Sequence, residues 1–395
     1  METEDSVPSD TRGTSGDVGL DAEPQRKIPL KRRIVYLSIV YLAFVLLLVA
    51  IEVITRLTLP HLSSLELFIN TPQQKAQITN QQQATIFEGD PLLLWRLKPN
   101  LDHVVWDFTV VTTNSQGLRL DYPLNPKAAG TFRILCVGDS VTFGYRVPVV
   151  WPERPKDYNP DWLPFPMLIE KELRAANPGR QIEVIALAVP GYSSYQGLAQ
   201  LRREIDGLQP DLLTICFGWN DVSMSDYPDR ETIPINWRAV TVRWLIDHSQ
   251  AFAHATHWLR SKRQSTGNPA PRQPAPRVSQ QEYLSNIREM VRLAGRHGAP
   301  AIVIAAPYRD RITNPVEAAS MIAYRESLRS AMQQDGTTYL ELPQLTEAGY
   351  PANRDVFGEL IHPNHMGHRL IAAELLKLLG TKGSIKDLTV PMMNP

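Results

Sequence analysis

The chain has 395 residues, more than one typical domain needs, and its 41 Lys and Arg are balanced by 41 Asp and Glu. A formal net charge of zero argues against a nucleic-acid partner, whose phosphates call for a basic excess. The two cysteines, Cys136 and Cys216, lie inside the apolar runs RILCVG and LLTICFG; they read as buried, unreactive thiols and do not report a redox compartment.

Residues 1–33 form the first region. Up to residue 25 they are acidic, rich in Ser, Thr and Gly, and nearly free of large apolar side chains. Such a composition cannot bury a core, so a disordered tail is expected. The run IVYLSIVYLAFVLLLVAI (34–51) then carries no charge, Gly or Pro. With the residues up to 56 it reaches the ~20 needed to span a membrane. Arg26, Lys27, Lys31, Arg32 and Arg33 precede it, which predicts a cytoplasmic N-terminus and an extracytoplasmic remainder. The following IEVITRLTLP offers no small-residue cleavage site, so residues 34–56 read as an uncleaved signal anchor. Residues 57–130 come next. Their first part (57–84) reads as a polar stalk with a short helix. DHVVWDFTVVTTNSQGLRL (102–120) has β-branched and aromatic residues closed by the turn chemistry of NSQG, and predicts a small β-element.

From residue 131 to 385 the pattern alternates. Short apolar runs at 133–138, 182–189, 211–218, 300–307 and 337–342 predict strands; 166–176, 195–206, 281–297, 316–334 and 365–380 predict helices. Continuous apolar strands alternating with helices indicate a parallel sheet covered on both faces. The expected fold is therefore a three-layer α/β/α domain around a five-stranded parallel sheet, preceded by one transmembrane helix and the small β-element. Two insertions interrupt it. The first, 145–165, is Pro- and Trp-rich and reads as a loop. The second, 226–280, holds a helical stretch (238–260, with Trp244, Leu245, Phe252 and Trp258) and the Pro-rich linker STGNPAPRQPAPR. The helical stretch reads as a packed amphipathic helix, with a cap over the crevice or a membrane contact as the alternatives.

Ligands of open parallel sheets bind beyond the carboxyl ends of the strands. The first strand runs into Gly138, Asp139 and Ser140; the second into Gly191; the third into Gly218, Trp219, Asn220 and Asp221; the fifth leads to Glu359 and His362. A hydroxyl, a glycine amide, a side-chain amide and an imidazole are thereby brought to one rim. Acyl transfer requires that set: a base to activate a weak nucleophile and donors for the tetrahedral oxyanion. Asp139 and Asp221 read as carboxylates that brace these loops. Trp219, Tyr192 and Phe143 either line a pocket or pack.

The stretches GDSVTFG, AVPGYS, GWND and ELIHPNHMGH resemble, in order, the four blocks of the SGNH (GDSL-type) hydrolase superfamily. The likeness covers about residues 130–380, and LLLWRLKPN…TTNSQGLR before it is similar to the preamble of membrane-anchored bacterial members. The resemblance implies a flavodoxin-like sheet order. It also implies Ser140 as nucleophile, His362 as base, and an oxyanion hole from the Ser140 and Gly191 amides with the Asn220 side chain. Where the family has Asp three residues before the histidine, this chain has Glu359. Glu359 is the expected orienting acid; Asp355 and a backbone carbonyl remain as alternatives. His362, His365 and His368 recur every three residues, a spacing that also raises a metal site. Pro363 keeps His362 extended and outside the helix, and Asn364 is a good N-cap for a helix starting at His365. The three imidazoles then do not share one helix face, and neither a metal nor an organic cofactor is implied. The expected activity is that of a membrane-anchored extracytoplasmic serine esterase acting on a small acyl ester or on an acylated glycan or lipid. An O-acetyltransferase of a cell-envelope glycan and a non-catalytic envelope-binding protein are the rivals.

Overall fold

The computed structural model describes residues 29–68, 86–266, 273–307, 315–342, 356–358, 361–382 and 388–393. It divides into two units, Met1–Leu57 and Thr58–Pro395. The first is built on a helix, Leu30–Thr58, none of whose residues is buried. At a rise of 1.5 Å per residue it is about 43 Å long, more than the ~30 Å of a hydrocarbon core. Among the described residues it is the one helix long and apolar enough to cross a membrane, on length and composition alone.

In the second unit, two antiparallel hairpins come first: β1 (Phe87–Asp90) with β2 (Leu94–Leu97), and β3 (Val104–Trp106) with β4 (Thr109–Val111). The strands β5 (Phe132–Gly138), β6 (Ile182–Ala188), β7 (Leu212–Cys216), β10 (Ala301–Ile304) and β11 (Thr338–Leu340) make the parallel sheet, in the order β11-β10-β7-β5-β6. The short β8 (Met224–Ser225) and β9 (Ala275–Pro276) pair within the second insertion. Taken in chain order the sheet reads 2-1-3-4-5, the doubly wound order in which the chain reverses direction between the first and third strands.

The continuous apolar runs follow from burial on both faces. Leu135, Val137, Ile185, Leu187, Leu213 and Ile215 point into one core, with helices 194–208, 280–296 and 315–334. Ile134, Cys136, Val184, Leu212 and Ile302 point into the other, with helices 165–176 and 365–382. Each fully buried aliphatic side chain contributes about 1.5–3 kcal/mol, so the runs determine where strands form. All five expected strands and five expected helices are present, their ends moved by a few residues. Ser193 starts helix 194–208 with a capping box to Gln196, and Ser279 caps helix 280–296 by accepting from the Glu282 amide. Both cysteines are free and buried, and burial pushes the Cys136 thiol up to about 12.

Two expectations need correction and one element was unforeseen, while the short helix expected within 57–84 is present at Ser64–Phe68. The β1–β2 hairpin has no counterpart in the sequence reading. The start of the expected stalk is packed: Ser64 is fully buried, its amide and hydroxyl donate to Asp247 at 2.7 and 2.8 Å, and the Leu62 amide donates to Gln250 Oε1 at 2.8 Å; residues 69–85 lie outside the described residues. The single helix expected over 238–260 is two, Trp237–His248 and Gln250–Thr266. Ser249 leaves the helical region between them, and its hydroxyl accepts from the Phe252 amide. Ile246 and Ala253 face the protein, whereas Trp244 and Trp258 face solvent. Both hairpins join the core of the first face: Phe87 meets Trp106 edge-on at 5.1 Å, and Trp106 meets Phe143 just beyond β5.

Candidate active site

Ser140 opens a four-residue helical turn directly after β5. Asp139 caps that turn through the Val141 amide at 2.9 Å. The turn closes at Gly144, which takes the left-handed φ of 84°, and the amides of Gly144 and Tyr145 both donate to the Ser140 carbonyl at 3.0 Å. A Cβ on Gly138 would lie 2.0 Å from Thr142 Oγ1, so the strand meets its turn without room for a side chain. Buried Arg119, from the segment after β4, braces the turn by donating to the carbonyls of Phe143, Gly144 and Val147. The hydroxyl of Ser140 is left half-buried at the rim.

His362 reaches the same rim from the other end of the domain. The Gly358 amide donates to the His362 carbonyl and the Asn364 amide to the Val356 carbonyl, each at 2.9 Å, which ties residues 356–358 to 362–364. Asn364 then caps helix 365–382 as expected, accepting from Met366 at 2.9 Å and Gly367 at 3.1 Å. His362 Nε2 lies 2.7 Å from Ser140 Oγ, across 222 positions of sequence. In the neutral imidazole that accepts this hydroxyl proton, the ring proton is on Nδ1. Glu359 and Asp355 lie outside the described residues. The Tyr145 ring packs on the His362 ring at 4.3 Å, with its hydroxyl donating to Asp107. The other two histidines have different partners. His365 stacks on Trp162 at 3.9 Å. His368 accepts from the Phe165 amide at 3.2 Å, and burial lowers its pKa to about 3, so it stays neutral. The first insertion thus wraps the histidine loop.

The sheet register brings the remaining candidates to this edge. Gly138 pairs with Ala188 on one side and Cys216 on the other, and Gly191 and Asn220 follow those strands by three and four residues. Asn220 Nδ2 donates to Asp139 Oδ2 at 3.4 Å. Burial raises the Asp139 carboxyl to about 6, against the opposing pull of the Val141 amide and His362. Gly191 has a φ of 86°, and a Cβ there would approach Trp95 Cζ2 to 3.2 Å. Its loop is gripped from two sides. Trp95 Nε1 donates to the Pro190 carbonyl at 3.2 Å, and Arg277 Nη1 donates to the Gly191 carbonyl at 3.0 Å. Arg277 is itself held by two 2.9 Å bonds to Asp229 and one of 3.1 Å to Gln196. Asp221 accepts from the Ser194 amide at 3.0 Å, and its burial raises it to about 8. Both aspartates brace loops, as expected. Tyr192, Phe143 and Trp219 are buried, with Trp219 Nε1 donating to the Pro307 carbonyl; they pack rather than line an open pocket.

Sequence reasoning missed Trp95, Tyr145 and Arg277. Tyr145 lies one residue past the GDSVTFG block and its position gave a usable signal. Trp95 and Arg277 are far from the blocks in sequence. Chemically, the rim holds a hydroxyl within hydrogen-bond reach of an imidazole. An amide-rich loop and a carboxamide follow the neighbouring strands, an arrangement suited to nucleophilic attack on a carbonyl.

The sequence model of the GDSL-like lipase/acylhydrolase family matches residues 136–370. Similar solved structures include a lipase/acylhydrolase from Enterococcus faecalis, with 17% identity over 66% of this chain and 99% of that one and a TM-score of 0.42. Another is LAE5, an alpha/beta hydrolase from the metagenome of Lake Arreo, with 19% identity over 63% and 95% and a TM-score of 0.40. A third is a catalytic mutant of Axe2, an acetylxylan esterase from Geobacillus stearothermophilus, with 16% identity over 63% and 94% and a TM-score of 0.40. No curated protein matches.

Proposed function

The chain belongs to the GDSL-like lipase/acylhydrolase family and is a serine hydrolase, and on that premise we propose a membrane-anchored, extracytoplasmic esterase that cleaves O-acyl esters through an acyl-serine. Ser140 Oγ attacks the ester carbonyl while His362 Nε2 takes its proton. The amides of Ser140 and Gly191 and the Asn220 carboxamide hold the oxyanion. His362 then gives the proton to the departing alcohol. A water, deprotonated by the same imidazole, attacks the acyl-serine, releasing the carboxylic acid and restoring Ser140. Glu359 orients the imidazole through Nδ1. The observation that carries this reading is the 2.7 Å contact between Ser140 and His362.

The anchor is Leu30–Thr58, and the basic residues before it put the N-terminus in the cytoplasm. The substrate is an acylated glycan or lipid of the cell envelope, the class that an outward-facing anchored enzyme meets. A fluorophosphonate is expected to label the wild-type chain and not Ser140→Ala, and p-nitrophenyl ester turnover is expected to fall on the order of 10⁶-fold in that variant. Labelling that survives the substitution overturns the assignment. Acetyl transfer to a glycan far above hydrolysis would make the enzyme an acetyltransferase. A C-terminal reporter active only in the cytoplasm would refute the orientation.

A further inference from the structure

Among the described residues, every exposed tryptophan lies on one pair of helices, with Val242 and Leu259 exposed beside them. Trp237 is 74% exposed, Trp244 48%, Trp258 56% and Leu259 53%. Trp237 and Trp244 are seven residues apart on helix 237–248, two turns along one face. Trp258 is one turn beyond His254 on the next helix, and His254 Nε2 donates to the Pro60 carbonyl at 3.0 Å. Soluble surfaces seldom gather such side chains without a partner. Cations accompany the indoles: Arg238 lies 5.3 Å from the Trp237 ring and Lys262 Nζ 4.6 Å from the Trp258 ring. The nearby carboxylate, Asp247, turns inward to Ser64.

Chain connectivity names the occupant. The helix pair is bonded to Pro60, Leu62 and Ser64. Leu62 is only four positions beyond Thr58, where the apolar helix ends, a span of at most ~14 Å. The tryptophan-bearing helices are therefore tied close to the point where the chain leaves the bilayer. Indoles favour the headgroup layer, and Lys and Arg beside them favour anionic lipid. We propose that the exposed side chains Trp237, Trp244, Trp258 and Leu259 of this helix pair seat in the headgroup layer of the membrane and hold the catalytic unit against the lipid surface. The proposal rests on reading Leu30–Thr58 as a membrane span.

The test uses the full chain reconstituted into vesicles of phosphatidylcholine with a minor share of phosphatidylglycerol, with acyl chains brominated near the glycerol end. The chain has eight tryptophans, and the three on this face are the most exposed of them. The expected result is quenching of tryptophan emission that is lost in the triple variant Trp237→Ser, Trp244→Ser, Trp258→Ser, while that variant still floats with the vesicles and still turns over a soluble ester. Unquenched wild-type emission in a chain that floats and resists alkaline extraction overturns the surface contact and leaves the anchor standing. A chain that fails to float overturns both. A dimer that dissociates in the triple variant would assign the face to a second copy, against the proposal.

Discussion

Arg277 is the most informative single residue to change. Its side chain is 3% exposed and that of Asp229 is 6% exposed, so Arg277→Met strands a carboxylate out of water with Ser193 Oγ, at 2.5 Å, as a remaining donor. Breaking a pair buried to this degree costs about 3–5 kcal/mol, because the surviving charge loses its counterion. Adding Asp229→Asn removes that charge. What is then lost is neutral hydrogen bonding, about 1 kcal/mol for each bond, so the double variant is expected to be more stable than Arg277→Met alone. Catalysis follows a second route. The guanidinium holds the Gly191 carbonyl, and releasing it lets the Gly191 amide, proposed above as an oxyanion donor, drift; a displacement of about 1 Å can cost ~10²-fold. kcat is thus expected to fall in both variants, with KM little changed. Denaturant unfolding of the detergent-solubilised chain, alongside p-nitrophenyl ester kinetics, measures both effects. An Arg277→Met variant within about 1 kcal/mol of wild type, or a double variant less stable than the single, would refute the reasoning, since the first contradicts the stranded charge.

Other consequences follow from the site. Tyr145→Phe keeps the ring on His362, removes only the hydroxyl that donates to Asp107, and is expected to retain kcat within a few fold; Tyr145→Ala removes the ring and is expected to lower kcat much further, in the same ester assay. Asp221 has a folded pKa raised from 3.8 to about 8 by burial. Its protonated form favours the fold, so this contribution is complete below about pH 4 and is lost as pH rises through 8. Unfolding measured across that range should show Asp221→Asn gaining on wild type as pH increases. Glu359→Gln is expected to reduce kcat strongly with labelling of Ser140 retained but slowed, whereas Asp355→Asn changes neither; the reverse pattern would move the orienting role to Asp355.

The sheet was readable because its signal is local. Strands such as RILCVG and LLTICFG are buried on both faces, so nearly every position must be apolar, and a linear scan finds them. That the segments carrying Ser140, Gly191, Asn220 and His362 would gather at one edge was readable because the doubly wound order delivers strand ends there whatever the helices between them; the roles of these residues are the proposal above. The β1–β2 hairpin was not. LLLW reads as one apolar run, yet Leu94 takes a positive φ of 77°, and what orders the segment is packing against partners more than ninety positions away, such as Pro190. Arg277 follows a Pro-rich linker that looks solvated; nothing near it in sequence announces a buried guanidinium beneath the Gly191 loop. The break at Ser249 carried a weak sign, a serine with its hydroxyl placed to cap the next turn, masked by the apolar residues on both sides.

The packing of Pro60, Leu62 and Ser64 onto the tryptophan helices also decides what a proteolytic cut beyond the apolar helix would leave behind. A protease cutting between Thr58 and Pro60 would release a unit that keeps the partners of Asp247, Gln250 and His254. A cut after Phe68 would remove these particular bonds to Asp247, Gln250 and His254 and pull Ser64 and Leu65 out of the interior. The two released forms differ by nine or ten residues, and the longer one is expected to outlast the shorter in solution.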